Sequence, residues 1–391
     1  MKILFLAQRF HTNQVPIVKG LIDSGHRVSY IVQTVGANED HSFLVPERMK
    51  LSWFGKLVDR HYKRKLDETA YESKMTENTY PSFWWMLRRI KAIKPDVVIL
   101  RYRTPATLTA NMVCKLLGIK AVILYNQTAL YTRKDKKTSF KQKIIFALLP
   151  KVRTTTVEVS DVFELKYHRD EMYIKEHDHF LPYIFTVTPE AENRSYFKDG
   201  MLNILDVGKY RPYKNHFVLA RAVKVMKDKG WLSDIRFTIL GQAGAPEEKK
   251  YMADLQKYID DNGIGEHIVL RTHIPYNQMR QLYLDNDVFI LTSKEEQASI
   301  TILESMGNAI MPISTNVNGT ASYIKEGETG FFFETDNEEN LAELFKYISD
   351  NRDRVPEWSR NGYEDIKANY SFANYNKALS GVLQKEFGIK L

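Results

Sequence analysis

The sequence is short of the residues that build disulfides and cysteine-bound metal sites. Its 391 residues include one cysteine, Cys114, which excludes an intramolecular disulfide and a cysteine-cluster metal site and suits a reducing compartment. No apolar run approaches the roughly 18 residues that a membrane-spanning helix needs. The apolar run in the opening MKILFLAQRF is too short for the core of a secretory signal. These absences predict a cytoplasmic chain.

Low-complexity tracts are also missing, and the composition is typical of a folded protein. Apolar residues make up 43% of the chain and aromatic residues 12%, as in ordinary globular proteins. The length of 391 residues exceeds the ~250 to 300 residues at which single cores stop growing. We therefore expect two domains.

Basic residues are concentrated in the first half of the chain. Residues 1–200 contain 33 Lys and Arg against 21 Asp and Glu, and the remainder contains 23 against 27. The net charge of +8 therefore arises in the first half, which should favour an anionic partner. Because the surplus is confined to one half and no nucleic-acid module is recognisable, we predict no nucleic-acid partner.

Short apolar runs alternate with helical patterns along both halves. The runs in the first half are KILFLA, RVSYIV, DVVILR, KAVILY and TTTVEVS, and those in the second are NILDVGK, IRFTILG, HIVLRT, VFILTS, AIMPIS and GFFFE. This alternation indicates parallel sheets covered on both faces. We predict an α/β protein with two doubly wound, Rossmann-like domains, residues 1–190 and 200–370, joined by a linker after Pro182.

A basic loop follows the first strand of the second predicted domain. Ligands of such sheets bind beyond the carboxyl ends of the strands. In LDVGKYRPYKN, Gly208 stands at the strand end, and Lys209 and Lys214 flank the loop. Glycine allows close approach of the backbone, and two ammonium groups on one turn can neutralise a diphosphate. The alternative is a solvated basic loop, and this segment alone does not decide between them.

Two glutamates flank the turn after the strand VFILTS. The stretch SKEEQASITILESMG places Glu296 in the loop and Glu304 in the first turns of the next helix. The spacing by itself decides nothing, because it recurs at two other glutamate pairs in the chain. The helix start offers the unpaired N–H groups of Ser299, Ile300 and Thr301 to an anion. A diphosphate bound there would put Glu304 within reach of a ribose, and Glu296 would face the group that the diphosphate carries.

Successive blocks of the second half resemble a known family. GKYRPYKN, FTILGQAG, LYLDNDVFILTS and EEQASITILESMGNAIMPISTNVNGTASYIKEGETGFFFE are similar, in order and spacing over roughly residues 203–335, to the retaining GT-B glycosyltransferases of family 4. The family's Gly-Arg-x4-Lys phosphate motif appears as Gly208, Lys209 and Lys214, with lysine in place of the usual arginine. Its Glu-x7-Glu motif appears as Glu296 and Glu304.

The resemblance implies a fold, a donor and roles for these residues. The fold would be GT-B, with two domains facing a central cleft and the C-terminal helix 371–391 packed on the first domain. A nucleotide sugar, UDP by default, would bind the C-terminal domain, and transfer would retain the anomeric configuration and need no metal or cofactor. Two residues, Lys209 and Lys214, would stabilise the leaving diphosphate. Glu304 would hold the ribose, and Glu296 would orient the donor sugar. The base would be flanked by the backbone at three positions: Thr272, His273 and Ile274.

The chemistry of glycosyl transfer is consistent with these assignments independently of the family. Breaking the bond from the sugar C1 to a diphosphate develops negative charge on the leaving group and positive charge on the ring. Fixed cations and a helix N-terminus stabilise the first, and a carboxylate assists the second. A glycosidase-like carboxylate pair is a rival interpretation, but a ribose-bound Glu304 would be too remote to act as the partner. An epimerase or phosphorylase of the same fold would fit the same motifs, and so would a non-catalytic nucleotide-binding protein.

Two departures from the family pattern lie in the first domain, and a third is the loop after Glu296, which lacks the usual glycines. The loop after the first strand reads QRFHTNQVP, without the Gly-Gly pair that often touches the phosphates, and Asn126 follows KAVILY where many members place a histidine. His11, Asn13 and Asn126 are candidate contacts to a sugar or to the acceptor. A lone loop histidine is more often solvated, and His11 retains that alternative.

A basic amphipathic segment suggests the nature of the acceptor. Tyr131 to Arg153 contains eight Lys and Arg against Asp135 alone, and PSFWWMLRRIKAIK combines two tryptophans with four cations. Segments of this type lie on anionic membrane surfaces, although a domain helix with a solvated face is the alternative. We expect a peripheral protein on the inner leaflet of the cell membrane that glycosylates a saccharide, lipid-linked by preference, in cell-surface polysaccharide or glycolipid synthesis.

Overall fold

The computed structural model divides into two compact units. Of the described residues, the first comprises Met1–Val157, 172–173, 176–184 and Phe372–Leu391, and the second comprises Phe185–Ser371. The chain thus enters the second unit just after Pro182, within the segment expected to be a linker. The residues that the structure describes are 1–35, 42–66, 71, 74–75, 78–126, 132–133, 147–157, 172–173, 176–272, 274–294, 296, 299–317 and 319–391.

The first unit is built on a parallel sheet. Its strands are β1 (Lys2–Ala7), β2 (Arg27–Val32), β3 (Glu47–Arg48), β4 (Val97–Arg101), β5 (Val122–Asn126), β7 (Val152–Thr155) and β9 (Asp178–Phe180), while β6 (Thr132–Arg133) and β8 (Met172–Tyr173) form a separate antiparallel pair. The order among the described residues is β3-β2-β1-β4-β5-β7-β9. Every residue of β4 and β5 is buried, because helices cover both faces of a parallel sheet.

Four helices lie within the described part of the chain before the second unit: α1 (Val15–Asp23), α2 (Trp53–Lys65), α3 (Phe83–Ile93) and α4 (Pro105–Leu116). The last three begin at hydroxyl N-caps, in which Ser52, Ser82 and Thr104 accept a backbone N–H three residues on. Apolar side chains of α3 and α4 pack on one face of the sheet. The other face is covered by α1 and by the C-terminal helix.

The C-terminal helix, Phe372–Phe387, is part of the first unit. The ring of Phe372 lies so close to Gly20 of α1 that a Cβ at that position would be 2.2 Å from it. At the other end, Glu386 bonds the rings of His177 and His179 at 2.8 and 2.7 Å. Leu379 and Leu383 are fully buried against the sheet between these contacts. The helix therefore completes a core whose other parts come from the first half of the chain.

The second unit is a second parallel sheet with the same winding. Its strands are β10 (Leu202–Val207), β11 (Ile235–Gly241), β12 (Ile268–Thr272), β13 (Val288–Leu291), β14 (Met311–Thr315) and β15 (Phe331–Phe333), in the order β12-β11-β10-β13-β14-β15. Its helices in the described residues are α5 (His216–Asp228), α6 (Pro246–Asp261), α7 (Tyr276–Leu284), α8 (Thr301–Gly307), α9 (Glu338–Asp350) and α10 (Val355–Asn369). Both predicted doubly wound domains are therefore present.

The segment that begins the second unit was expected to be a linker, but it packs against the rest of that unit. Arg194 is buried and donates to the carbonyl oxygens of Asn286, Asn308 and Ala309. Its guanidinium also lies 4.5 Å from the ring centroid of Tyr196. This segment belongs to the packed unit rather than to a free linker. Within the described residues, no helix has the length and apolar character required to cross a membrane.

Candidate functional site

The loops after β10 and β13 meet where the strand order of the second sheet reverses. β10 pairs with β11 on one side and with β13 on the other, and a crevice opens beyond the carboxyl ends of strands at such a reversal. The N–H of Lys294 donates to the carbonyl of Tyr213 at 2.9 Å, and the Thr292 hydroxyl donates to the carbonyl of Lys214 at 2.7 Å. The loop after β10 and the loop after β13 were predicted separately as parts of the site, and the structure places them in contact.

Lys214 and Glu296 form an ion pair in this crevice. Their side chains are only 12% and 20% exposed, so their attraction is less weakened by solvent than that of a surface pair. The carbonyl of Glu296 also accepts the N–H of Gly319 at 3.1 Å, which holds its loop in place. Two residues predicted to act in catalysis are therefore in direct contact.

Gly208 leaves room for the stem of Lys214. A Cβ at this position would lie 3.2 Å from Lys214 Cδ, which is closer than most real Cβ contacts, and 3.5 Å from His216 Nε2, which is an ordinary contact. Lys209, in contrast, is exposed, and no carboxylate of the described residues is within ion-pair distance of its ammonium group. The two lysines predicted to act together therefore differ, since one is paired and desolvated and the other is solvated.

Glu304 lies in the first turn of α8 and is half-buried. The Tyr283 hydroxyl of α7 donates to its Oε2 at 2.9 Å. Burial raises the pKa of Glu304, and the tyrosine bond partly opposes that shift. Its second carboxylate oxygen has no partner among the described residues. The carboxylate is thus held by one donor and can accept further hydroxyl groups.

Helix α8 begins at Thr301, close to the start predicted from the sequence. Ile300 is the N-cap, and no described side chain caps the helix. The Ser299 and Thr301 hydroxyls lie 2.7 Å apart. Because α8 has only seven residues, its dipole is small and the local N–H groups matter more than the helix as a whole.

Two buried titratable residues beneath the loop were not identified from the sequence. Asp206 of β10 is 2% exposed, and burial raises its pKa to about 7. Its Oδ2 lies 2.9 Å from the Thr292 hydroxyl, which has a single proton and also contacts the carbonyl of Lys214. A protonated Asp206 satisfies both contacts, because it donates to Thr292 while Thr292 donates onward.

His216 is the second of these residues. It is fully buried at the start of α5, and burial together with Lys214 lowers its pKa to about 3. Neither ring nitrogen has a hydrogen-bond partner in the described structure. Its ring centroid lies 5.4 Å from that of Tyr210 and 5.8 Å from that of Tyr251. The imidazole is therefore neutral and lines the floor of the loop.

The positions expected beside a base lie at the end of β12. Thr272 is the last residue of the strand and is paired with Gly241 of β11. Tyr210 connects the ends of β11 and β12, because its hydroxyl contacts the carbonyls of Ile239 and Arg271 at 2.9 and 3.0 Å. Ile274 is half-buried, and His273 lies outside the described residues.

The three candidates of the first unit are less solvated than a loop position suggests. Burial lowers the pKa of His11 to about 3, assisted by Arg101 and Arg9, so the ring is neutral. Asn13 Nδ2 donates to the Tyr183 hydroxyl at 3.2 Å. Asn126 is the last residue of β5 rather than the start of a loop, and it is 4% exposed. The alternative of a freely solvated His11 is therefore wrong.

No cluster of three or more metal-ligating side chains is found among the described residues. The one Asp-x-Asp spacing in this unit, Asp285 and Asp287, serves the fold. Asp287 accepts the N–H groups of Phe197 and Asn203 at 2.8 and 2.9 Å. These contacts occupy the carboxylate, and they do not form a metal site.

The chain is similar to known glycosyltransferases. Residues 188–365 match the family described as glycosyl transferases group 1. A D-inositol 3-phosphate glycosyltransferase of Paenarthrobacter aurescens is 21% identical over 210 residues, which are 51% of this chain and 50% of that protein. A UDP-Gal:alpha-D-GlcNAc-diphosphoundecaprenol alpha-1,3-galactosyltransferase of Escherichia coli is 26% identical over 149 residues, which are 37% of this chain and 36% of that protein. The chain thus spans half or less of the length of these curated relatives.

A solved structure extends the likeness to the whole fold. The crystal structure of a glycosyltransferase from Rickettsia africae superposes with a TM-score of 0.73 at 18% identity and covers 98% of both chains. The predicted resemblance is thereby confirmed at the level of family and fold. Residues 188–365, in the second unit, therefore match the glycosyl transferases group 1 family, and the two-unit chain as a whole has the fold of a solved glycosyltransferase.

Proposed function

We propose that this protein is a retaining, metal-independent glycosyltransferase that moves a sugar from a nucleotide sugar, UDP-linked by preference, to a saccharide acceptor. The observation that carries the proposal is the ion pair of Lys214 and Glu296 at the reversal point of the second sheet. A cation and a carboxylate in contact there are suited to the two charges that develop when a glycosyl diphosphate bond breaks.

In this proposal the donor diphosphate displaces Glu296 from Lys214. The lysine then exchanges one anion for another and stabilises the leaving group, with Lys209 adding charge from the solvent side. The released carboxylate faces the donor sugar, where it stabilises positive charge on the ring. Glu304, already held by Tyr283, accepts the ribose hydroxyls. Each of these steps uses a residue whose position is described, and none requires a metal.

Nucleotide binding is the first test. Thermal shift with a panel of nucleoside diphosphates and nucleotide sugars should give stabilisation by UDP or a UDP-sugar in the wild type and a much smaller shift in K214M. An E326Q variant is a matched control, because Glu326 belongs to another Glu-x7-Glu pair in the same unit. Equal shifts in the wild type and K214M, or no shift with any nucleotide, would refute the proposed site.

Product analysis separates the rival activities. With a cognate acceptor, NMR of the product should show the anomeric configuration of the donor. Rapid donor turnover without acceptor would instead favour an epimerase or phosphorylase. Nucleotide binding with no turnover, together with unchanged cellular product in an E296A strain, would favour a non-catalytic protein.

We further propose that the acceptor is lipid-linked and reached at an anionic membrane surface. The relative from Escherichia coli is named for a diphosphoundecaprenol acceptor. Most of the basic segment Tyr131 to Arg153 lies outside the described residues. Another surface of the first unit has the required character, and it is formed by the starts of α2 and α3.

This aromatic-basic surface consists of four exposed apolar side chains and nearby cations. Trp53, Phe54 and Leu57 of α2 are 76%, 52% and 41% exposed, and Trp84 of α3 is 68% exposed. The two helix starts lie side by side, because Ser52 N donates to the carbonyl of Tyr80 and Ser82 N to that of Lys50. Exposed cations follow on both helices: Lys56, Arg60, Lys63, Arg64, Lys65, Arg88 and Lys91. Exposed tryptophans beside cations are typical of proteins that lie on anionic lipid.

Vesicle sedimentation tests this surface. The wild type should bind phosphatidylglycerol-containing vesicles and not neutral ones, and W53S/W84S should lose most of that binding. L116S is the control, because Leu116 is 65% exposed on α4 of the same unit. Equal binding by W53S/W84S and L116S would exclude the surface.

A further inference from the structure

Arg101 ends β4 at the point where the strand order of the first sheet reverses. β1 pairs with β2 on one side and with β4 on the other, as β10 does with its neighbours in the second sheet. The Arg101 side chain is 4% exposed. Arg101 therefore lies at the place where a doubly wound sheet binds its ligand. Unlike a typical ligand-binding residue, its side chain is buried inside the first unit.

Tyrosine side chains interact with the guanidinium: Tyr30, Tyr102, Tyr125 and Tyr183. Nη2 donates to the Tyr102 hydroxyl at 3.4 Å, and the guanidinium carbon lies 5.0 Å from the ring centroid of Tyr102 and 5.7 Å from that of Tyr125. Nε and Nη1 are buried without a hydrogen-bond partner among the described residues. No carboxylate of this described part of the chain is within ion-pair distance of the cation. Within it, Arg101 is thus a desolvated charge without a counter-ion.

Two other largely buried arginines show that this is unusual for the protein. Arg153 forms two bonds to Asp178, with Nε to Oδ1 at 2.6 Å, and that carboxylate is 1% exposed. Arg194 donates to three backbone carbonyls. A buried cation without such partners is costly, and contact with aromatic rings returns only part of the cost. We therefore expect a buried, unpaired guanidinium of this kind to bind a ligand.

The groups around Arg101 are suited to a polar ligand. Asn13 Oδ1 and the Thr154 hydroxyl are buried, and neither has a hydrogen-bond partner in the described part of the chain. Both residues lie beyond or near the carboxyl ends of strands, at the same edge of the sheet as Arg101. His11 is the neighbouring neutral imidazole, which can donate one N–H. These groups supply hydrogen bonds but no negative charge, so the charge of Arg101 remains available.

We propose that Arg101 is the centre of an oxyanion subsite in the first unit, which takes a phosphate or carboxylate group of the acceptor. The planar guanidinium retains donors on Nε and Nη1, the arrangement that favours such anions. Naming the ligand as part of the acceptor rests on the proposed function, whereas the subsite itself does not. The same chemistry is present in the donor diphosphate, and the experiment separates the two sources.

The test compares thermal unfolding of the full-length wild type, R101M, R101K and R153M with and without millimolar inorganic phosphate. Without phosphate, R101M should melt at the same temperature as the wild type or higher by about 2 °C, because it removes an uncompensated buried charge. R153M should melt lower, because it removes both bonds that Arg153 donates to the buried carboxylate of Asp178. Phosphate should stabilise the wild type, R101K less and R101M not at all beyond the general salt effect seen with R153M.

Saturating UDP distinguishes the acceptor from the donor. If the oxyanion belongs to the acceptor, phosphate should still raise the melting temperature of the wild type when UDP is present, and R101M should bind UDP as the wild type does. Loss of the phosphate effect in the presence of UDP, or weaker UDP binding by R101M, would assign the anion to the donor and overturn the proposal.

Two further outcomes would show that Arg101 forms no anion subsite. One is an R101M protein that unfolds at a lower temperature than the wild type, and the other is an equal phosphate effect in R101M and the wild type. If UDP stabilises none of the proteins, the proposed function fails while the phosphate comparison still decides the subsite.

Discussion

Lys214 and Arg101 occupy comparable places in the two units. Each lies where the strand order of a parallel sheet reverses, and each is largely removed from solvent. Lys214 is paired with Glu296, whereas Arg101 has tyrosine rings and no described carboxylate beside it. A paired cation must exchange one anion for another when a ligand binds. An unpaired cation gains its first counter-ion, so its site should respond to simple anions.

The largest effect should follow from removing the counter-ion of Lys214. E296Q leaves a lysine that resembles Arg101 in lacking a carboxylate, and it removes the negative charge facing the donor sugar. We expect transfer to fall by about 10²- to 10³-fold, while UDP binds at least as tightly as in the wild type. Steady-state kinetics and calorimetry with UDP measure the two effects. A parallel loss of UDP affinity would contradict the exchange of anions at Lys214.

The next effect concerns the two lysines of the loop. K214M should weaken UDP binding by about 10-fold or more, because a charge-assisted contact in a partly desolvated site is lost. K209M should weaken it by about 2- to 3-fold, since an exposed charge is screened by solvent. Calorimetry at two salt concentrations checks the difference. Equal losses in both variants would mean that desolvation of Lys214 has no bearing on phosphate binding.

A smaller effect is expected from the buried acid beneath Lys214. Because burial raises the pKa of Asp206 to about 7, the folded protein holds this proton from about pH 4 to 7, where the unfolded chain has released it. The folded state binds more protons in that window, so stability falls as the pH rises through it. D206N should remove this trend and exceed the wild type in melting temperature at pH 8 by on the order of 5 °C.

Melting curves of the wild type and D206N at pH 5 and pH 8 measure this difference. T292S serves as a control that keeps the hydroxyl and the acid. Identical pH profiles for the wild type and D206N would show that Asp206 is already ionised in the folded protein.

The smallest effect should come from the glycine under the lysine stem. G208A places a Cβ about 3.2 Å from Lys214 Cδ, which obliges the flexible stem to shift by a few tenths of an ångström. We expect a loss of UDP affinity of about 2- to 5-fold with little change in stability. G244A, at another loop glycine of this unit with more space around it, is the control, and a larger loss there would contradict the interpretation.

The sequence predicted those parts of the fold and site that depend on local pattern. Apolar runs alternating with helices indicate two doubly wound sheets, because the period and length of each run are visible in the chain. Gly208, Lys214 and Glu296 were found for a similar reason, since each stands just after a predicted strand. Asn126 was assigned one residue beyond its strand, because a polar residue at a strand end reads as a loop.

Other features depend on contacts between distant segments and were not foreseen. Asp206 and His216 have shifted pKa values because the fold buries them, and no local sequence pattern reveals this burial. Tyr283 comes from a neighbouring helix, and its position in α7 does not indicate the bond to Glu304. Arg101 closes the run DVVILR and reads as an ordinary strand end. That no carboxylate of the described residues pairs with it becomes visible only when Tyr102 and Tyr125 are placed around it.

The packing of the C-terminal helix against Gly20 has a consequence for folding during synthesis. Phe372–Phe387 follows the whole second unit in the chain, yet its side chains fill the core beneath β1. During synthesis, the second unit is therefore available to fold while the first still exposes an apolar face, because domains fold as their residues leave the ribosome. Nascent chains arrested before residue 372 should bind chaperones or the hydrophobic dye ANS more strongly than chains that include the helix.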